Sequence, residues 1–222
     1  MPDALRPLFT TRSLLRALRH LAVALGVFLV AGNLVILGLH GIARADLGML
    51  RVEGVDGVDK LRHVDGKVWA GANPSREGYL ALAAAGVTTV VDLRAEKDAH
   101  EDDAFIRSLG MQVVHIPIRD GQTPTDEEVA QFTAVVEDAP GTVYLHCGAG
   151  VGRTGSMASA YLVHTGQADA LDVLAMSLAA GPPSLEQIAY ISALDSGIRP
   201  PKVVVGVSRV LDAPRRIWSS LR

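Results

Sequence analysis

A glycine-rich string of ten residues, His146 to Gly155, follows a short strand-like run and constrains the fold of this chain more than any other feature. The run Thr142–Leu145 has the composition of a strand, and the string after it contains the chain's only cysteine, Cys147, as well as Arg153. A glycine-rich turn between a strand and a helix lets backbone N–H groups converge on one point, and the helix adds its positive N-terminal end. The string therefore predicts a loop that holds an oxyanion such as phosphate.

Cys147 and Arg153 supply the chemistry that such a loop needs for catalysis. The converging N–H groups and the Arg153 guanidinium favour the thiolate form of Cys147, which is the nucleophilic form. Arg153 can bind two phosphate oxygens in a bidentate contact that lysine cannot make. The predicted phosphate-binding residues, besides Arg153, are Gly148, Ala149, Gly150, Val151 and Gly152. Two other interpretations of Cys147 stay open: a buried structural thiol, and the cysteine of a rhodanese-type sulfurtransferase, which also uses an anion-binding loop.

The pattern Cys-x5-Arg-Thr, preceded by a histidine and spaced by glycines, closely resembles the signature loop of the protein tyrosine phosphatase and dual-specificity phosphatase superfamily. This resemblance implies hydrolysis of phosphate monoesters through a phosphocysteine intermediate, without a cofactor. It also implies that His146 orients the cysteine loop, and that the Thr154 hydroxyl group hydrogen-bonds the thiolate and helps to hydrolyse the phosphocysteine. The resemblance extends over roughly residues 61–198. The first part of this range, which ends in Gly71–Pro74, resembles the corresponding part of bacterial and plant dual-specificity-like phosphatases.

A phosphocysteine mechanism needs an acid to protonate the leaving oxygen and then a base to activate water, and one carboxyl group can do both. Asp120, followed by Gly121, resembles the Asp-Gly general acid of dual-specificity phosphatases and is predicted to lie on a mobile loop. Asp126 is the alternative, although Thr125 to Glu128 has the pattern of a helix start with acidic residues in its first turn. A third interpretation is that both groups are ordinary solvated turn carboxylates.

Strand-like and helix-like segments alternate between residues 61 and 198, which predicts an α/β domain. We expect a mostly parallel central sheet flanked by helices on both faces, and the resemblance implies that this is the cysteine-based phosphatase fold. One predicted strand, Val87–Arg94, leaves Asp92 and Arg94 near its carboxyl end, and we interpret them as a structural salt bridge near the site. Ligands of such sheets bind beyond the carboxyl ends of strands, where Cys147 and Asp120 both fall.

An apolar segment, Leu21–Leu39, has Asn33 as its only polar side chain. As a helix it would be about 28 Å long, close to the ~30 Å hydrocarbon core of a bilayer. Four arginines precede it: Arg6, Arg12, Arg16 and Arg19. The positive-inside rule predicts a cytoplasmic basic segment at residues 1–20, a transmembrane helix at 21–39 and a catalytic domain on the extracytoplasmic side. A long signal sequence cleaved after Ala45 and a buried core helix are the alternatives.

The remaining boundaries follow from composition. Residues 40–60 are predicted to be a linker, residues 61–198 the catalytic domain, and residues 199–222 a basic amphipathic tail bent at Pro214. The tail is either a helix packed on the domain or one that lies on a lipid surface.

Composition and spacing limit the partners. The net charge of −3 gives no sign of a nucleic-acid partner, and one cysteine cannot form an intramolecular disulfide. No cluster with metal-ligand spacing is found, the cysteine chemistry requires no metal, and His100 and His164 are predicted to be surface histidines.

The substrate is open between a phosphorylated protein and a lipid phosphate monoester at the membrane. Phosphoinositide enzymes carry lysines inside the loop where this chain has Gly148 and Val151, which disfavours a polyphosphorylated inositol. A non-catalytic phosphate-binding module is the alternative from another class.

Overall fold

The computed structural model describes the backbone of residues 11–47 and 55–220, and the side chains of residues 14–45 and 55–213. Arg6, the side chain of Arg12, part of the predicted linker and the last side chains of the tail lie outside these ranges. The strands are β1 (Arg62–His63), β2 (Val68–Gly71), β3 (Val87–Arg94), β4 (Gln112–Ile118) and β5 (Thr142–His146). The helices are α1 (Thr11–Leu47), α2 (Arg76–Ala84), α3 (Asp103–Ser108), α4 (Asp126–Asp138), α5 (Gly152–His164), α6 (Ala170–Ala180), α7 (Leu185–Ser192) and α8 (Lys202–Ser220), with a 3-10 turn at Leu194–Ser196.

The five strands form one sheet in the order β1-β2-β5-β3-β4. Strands β1 and β2 pair in antiparallel orientation. The pairs β2/β5, β5/β3 and β3/β4 are parallel. Strand β5 therefore lies in the middle of the sheet, and its carboxyl end opens between the ends of β2 and β3. The predicted α/β fold with a mostly parallel sheet is confirmed.

Both faces of the sheet are covered by helices. On one face, Val143 and Leu145 of β5 belong to the core that includes Phe132 of α4, Met157 of α5 and Ile191 of α7. Alternate residues of a strand point to opposite faces, so Tyr144 packs into the other core. That second core contains residues of α2 and α3: Tyr79, Leu82 and Ile106.

Side-chain caps fix the starts of α2, α4 and α7, and the start of α4 was predicted. Ser75 accepts a hydrogen bond from Gly78 N (3.2 Å) at α2. At α4, Thr125 and Glu128 form a reciprocal capping box, which satisfies two backbone N–H groups that the helix itself leaves free. Asp126 is therefore the first residue of a helix.

Helix α1 is longer than the predicted membrane segment. Residues 40–47, predicted to be linker, continue the helix, because this end of α1 packs against α6. His40 Nδ1 hydrogen-bonds the Leu178 carbonyl oxygen (2.6 Å), and Ala43 is buried against Leu178 and Ala179. The large apolar side chains of the preceding segment are mostly exposed, and the helix is long and apolar enough to cross a membrane. A signal sequence near the amino terminus can also be this long and apolar.

Helix α8 packs on the domain, as one of the two interpretations of the tail predicted. Its residues Ser208, Leu211 and Asp212 are buried. Leu211 also lies against Gly32 of α1, so α1 and α8 are in contact. The helix continues through Pro214 to Ser220.

Candidate active site

The glycine-rich loop connects the carboxyl end of the central strand β5 to the start of α5, as predicted. Three consecutive carbonyl groups of the loop accept hydrogen bonds from outside it: Gly148 O from Asn73 N (3.0 Å), Ala149 O from Lys60 Nζ (3.2 Å) and Gly150 O from Arg62 Nη1 (3.1 Å). Within the described residues, the N–H groups of 148–151 donate no hydrogen bond. The loop thus directs its carbonyl groups outward and leaves its N–H groups available to an anion.

Gly150 shows why this loop requires glycine. Its φ of +68° lies in the left-handed region, and a Cβ atom there would lie 2.4 Å from the carbonyl carbon of Gly71. Any side chain would therefore be strained and would push the loop away from β2.

Cys147 lies in a cavity of about 370 Å³ at this edge of the sheet and is 2% exposed. The same cavity is lined by Arg153 and Asp120, so the fold brings three of the predicted catalytic groups together. The other lining residues are Glu96, Gly148, Ala149, Val151, Gly152, Pro182 and Gln187.

The Arg153 guanidinium is held on one side and open on the other. Its Nη1 donates to Glu96 Oε2 (2.8 Å) and to the Ile118 carbonyl oxygen (3.1 Å). Its Nε is buried and has no hydrogen-bond partner in the described part of the chain, and Nη2 lies 3.6 Å from Asp120 Oδ1. Because Nε and Nη2 form one edge of the guanidinium, this edge remains available for a bidentate phosphate contact.

Glu96 is a site residue that the sequence did not reveal. Burial alone would raise the pKa of its carboxyl group, but the hydrogen bond and the charge of Arg153 outweigh that effect and hold the pKa below its usual value. The carboxylate is therefore ionised at neutral pH and fixes the arginine. Gln187 was also missed, since its sequence signal was only that of a helix start with the capping residue Ser184.

The two candidate acids have different surroundings. Asp120 has a 46% exposed side chain, lines the cavity and faces Arg153. Asp126 has a 75% exposed side chain, pairs with Arg199 and does not line the cavity. Of the two carboxylates, Asp120 is therefore the one that lies at the Cys147 cavity.

The Asp120 loop, predicted to be mobile, is attached to neighbouring elements through its carbonyl groups. Ser184 Oγ donates to Gly121 O (3.1 Å), Gln187 Nε2 to Gln122 O (3.1 Å), and Arg199 Nη1 to Pro124 O (2.7 Å). These bonds position the backbone and leave the Asp120 side chain exposed.

His146 and Thr154 are both fully buried behind the loop. His146 Nδ1 lies 3.2 Å from the Cys147 carbonyl oxygen, and its ring stacks on Tyr144 at 5.6 Å between centroids. Burial lowers the pKa of His146 to about 4, so the ring is neutral at neutral pH. Thr154 Oγ1 has no hydrogen-bond partner in the described residues, so the bond to Cys147 that the resemblance implies stays a prediction.

Asp92 and Arg94 form a buried ion pair, with Arg94 Nη2 2.8 Å from Asp92 Oδ2. Arg94 also donates to the Ala99 carbonyl oxygen (3.1 Å), and neither residue lines the Cys147 cavity. The predicted structural salt bridge is confirmed.

One cluster of possible metal ligands was invisible to sequence spacing. His115 Nε2 lies 3.0 Å from Asp103 Oδ1, and His100 Nδ1 lies 3.5 Å from Asp103 Oδ2. Spacing missed it because His115 comes from β4 and the other two residues from α3 and the turn before it. Arg107 also pairs with Asp103 (3.1 Å), so the carboxylate already has a cationic partner.

Comparison with known proteins identifies the family of this domain. The family model described as "DSP-PTPase phosphatase fused to NAD+ Kinase" matches residues 50–192. The chain is 36% identical over 111 residues to the probable NAD kinase 2, chloroplastic, of Oryza sativa subsp. japonica, covering 46% of this chain and 11% of that protein. It is 35% identical over 77 residues to the tyrosine-protein phosphatase cdc-14 of Caenorhabditis elegans, covering 35% of this chain and 10% of that protein.

Solved structures show the same fold at lower identity. P. aeruginosa TpbA superimposes with a TM-score of 0.55 at 20% identity, covering 75% of this chain and 98% of that chain. PTPMT1 in complex with PI(5)P gives 0.54 at 16% identity, covering 62% and 95%. The chain spans only about a tenth of the length of the curated relatives above. The family match covers well over half of the chain, which therefore belongs to the DSP-PTPase family whose phosphatase domain is described as fused to NAD+ kinase.

Proposed function

We propose that this protein hydrolyses phosphate monoesters through a phosphocysteine intermediate formed on Cys147. One observation carries the proposal: Cys147, the open edge of Arg153 and Asp120 line the same cavity, beside a loop whose N–H groups are unpaired. A thiol that only fills the core would need neither the arginine nor the carboxylate. A phosphate-binding module without catalysis would not need the acid.

In the first step, the Cys147 thiolate attacks phosphorus and an S–P bond forms. The bond between phosphorus and the ester oxygen breaks, and Asp120 gives its proton to that oxygen, so that an alcohol or phenol leaves. The loop N–H groups and Arg153 bind the equatorial phosphoryl oxygens, where negative charge is concentrated in the transition state. All of these donors are fixed before the substrate binds.

In the second step, a water molecule attacks the phosphocysteine. The ionised Asp120 takes a proton from that water, the S–P bond breaks, and inorganic phosphate and the thiolate are released. Thr154 assists by donating its otherwise unpaired hydroxyl group to the departing thiolate. His146 keeps the loop in place through its ring, which packs on Tyr144 and contacts the Cys147 carbonyl group.

The substrates are proposed to be phosphotyrosine, phosphoserine or phosphothreonine in proteins. The similarity to a tyrosine-protein phosphatase supports this class. A lipid phosphate monoester is the second candidate, favoured by the long apolar helix α1, whose last turns reach the same edge of the domain.

Acid-quenched reactions test the mechanism directly. The full-length protein, mixed with a radiolabelled aryl phosphate and quenched within the first turnover, is expected to carry label on the peptide that contains Cys147. Phosphate release should follow. Turnover without any labelled cysteine peptide would rule out the covalent route, whereas tight phosphate binding without turnover would favour the non-catalytic module.

Glu96 is expected to act through Arg153. Glu96→Gln removes the charge that fixes Nη1, and loss of a charge-assisted hydrogen bond of this kind lowers a rate by about tenfold. Steady-state kinetics on an aryl phosphate should therefore show a kcat/KM about tenfold below wild type. Glu101→Gln, at an exposed carboxylate of the following turn that lies outside the cavity, is the matched control. A kcat/KM equal to that of wild type in the Glu96 variant would remove Glu96 from the mechanism.

The arginine asymmetry around α1 supports a cytoplasmic amino terminus and an extracytoplasmic catalytic domain, either anchored or released after Ala45. Alkaline phosphatase fused after Ala45 and at the carboxyl terminus should be active, because that reporter requires export. If only a reporter that works in the cytoplasm were active at these positions, the proposed orientation would be wrong. The proposed enzymatic activity would be unaffected.

A further inference from the structure

A second cavity of about 650 Å³ lies directly beside the active site. Gly148, Ala149 and Pro182 contribute to the walls of both cavities, so a molecule with its phosphate on the loop can extend from one into the other. The opposite wall comes from α1, through His40 and Arg44.

Two cationic side chains, Arg44 and Lys60, line this second cavity together with one carboxylate, Asp59. His40 and Arg44 lie one turn apart on the same face of α1, and Lys60 joins them from the segment before β1. Arg44 makes no ion pair or hydrogen bond with any described residue, and Lys60 donates only to the Ala149 carbonyl oxygen. Asp59 is the carboxylate on this wall, so Arg44 and Lys60 leave the cavity with a net positive charge.

The backbone at Lys60 is held in a conformation that side chains rarely adopt. Its φ of +55° is the one positive value of a non-glycine residue in the described chain. Such a conformation costs of the order of 1 kcal/mol and persists where the surroundings impose it, often at functional sites. Lys60 lines the second cavity, and its ammonium group donates to the Ala149 carbonyl oxygen of the phosphate loop.

We propose that this second cavity binds another phosphate of the substrate, so that the enzyme prefers phosphate monoesters that carry a second phosphate a short distance from the scissile one. The inference rests on the proposed function, because it concerns the same substrate. Phosphate fits the donors, since a guanidinium and an ammonium group bind its oxygens with charge-assisted hydrogen bonds.

Two sources can supply this chemistry: the phosphodiester of a lipid, or a soluble bisphosphate. The lipid source fits the position of the cavity, because His40 and Arg44 lie at the carboxyl end of the long, exposed apolar stretch of α1. If that part lies in a bilayer, the cavity lies at the level of the lipid head groups.

The test uses the full-length chain in an uncharged detergent and compares two substrate series. Alkanediol bisphosphates with three to six carbons are paired with alkyl monophosphates of equal length. We expect kcat/KM for the best bisphosphate to be about tenfold above that of its monophosphate. Salt should reduce this ratio, because exposed charges are screened.

Arg44→Gln and Lys60→Gln should each reduce the ratio severalfold. Arg19→Gln is the matched control, since Arg19 is an exposed arginine of the same helix and does not line either cavity. It should keep the wild-type ratio. Two variants are used because Lys60 also contacts the phosphate loop, so that its replacement lowers turnover of both substrate series. The ratio of the two kcat/KM values reports only the contribution of the second phosphate.

A lipid arm identifies the source. Phosphatidylcholine vesicles containing phosphatidylglycerophosphate, which has two phosphates, are compared with vesicles containing phosphatidic acid, which has one. A higher kcat/KM for phosphatidylglycerophosphate than for phosphatidic acid supports the lipid source. A preference for bisphosphates that occurs only in the soluble series supports a free bisphosphate. Equal kcat/KM within both pairs would overturn the inference and leave the proposed function standing.

Binding measurements distinguish a failure of the second-phosphate inference from a failure of the proposed covalent mechanism. Titration of the Cys147→Ser variant with the same bisphosphates and monophosphates repeats the comparison without turnover. Tighter binding of bisphosphates would support the second site even if the covalent mechanism failed. Equal affinities would overturn it.

Discussion

Cys147→Ser is expected to reduce phosphate release by at least ~10⁴-fold while binding of a phosphate analogue is retained. A hydroxyl group is a far weaker nucleophile than a thiolate, but the N–H groups of the loop and Arg153 are unchanged. Phosphate release from an aryl phosphate measures the first effect. Isothermal titration with tungstate measures the second.

Arg153→Lys is the informative contrast to the serine variant. A lysine carries one nitrogen instead of a planar fork, so it cannot make the bidentate contact that Nε and Nη2 offer while Nη1 is bonded to Glu96. This variant should lose both turnover and tungstate binding. A serine variant that kept most of the wild-type rate would show that the nucleophile lies elsewhere, and the mechanism proposed above would be wrong.

The phosphate loop was predictable because its parts are neighbours in sequence. Cys147, Arg153 and the intervening glycines form one strand-to-helix connection, and local rules for glycine turns and helix N-termini describe it. The same holds for the helix starts at Ser75 and Thr125, where the capping side chain and its partner are three residues apart. These features need no knowledge of the tertiary fold.

Glu96 could not be found in this way, because its role depends on strand order. The sheet places β3 between β5 and β4, so the segment after β3 must lie between Cys147 and Asp120. The sequence predicts the three strands but not which one is central. An acidic residue two positions after a strand is otherwise an ordinary surface residue.

Tertiary packing also explains the length of α1. Hydropathy marks Leu21–Leu39 as the segment suited to a bilayer, but the helix continues to Leu47 because His40 and Ala43 contact α6. That contact brings Arg44 to the cavity beside the phosphate loop. The segment predicted to be a linker therefore forms part of the wall next to the active site.

Asp120→Asn is expected to lower turnover of an alkyl phosphate by ~10²–10⁴-fold, the usual contribution of a general acid. An alkoxide is a poor leaving group and needs a proton, and the amide cannot supply it. An activated aryl phosphate leaves as a stable phenolate, so the variant should retain much more of its rate on that substrate. The basic limb of the pH–rate profile, which reports the protonated acid, should flatten, and the acidic limb, which reports the thiolate, should remain.

Asp126→Asn is the matched control, because it makes the same chemical change at the other candidate acid. Asp126 lies at the start of α4, pairs with Arg199 and does not line the cavity, so its variant should behave like wild type on both substrates. Loss of the Asp126 carboxylate can still weaken the attachment of the Asp120 loop, because Arg199 also donates to the Pro124 carbonyl oxygen. Such an effect would reduce the rates on alkyl and aryl phosphates equally, whereas loss of the acid affects them unequally. If the unequal effect followed Asp126 and spared Asp120, the acid would belong to the helix start, and the assignment to the Asp-Gly loop would be wrong.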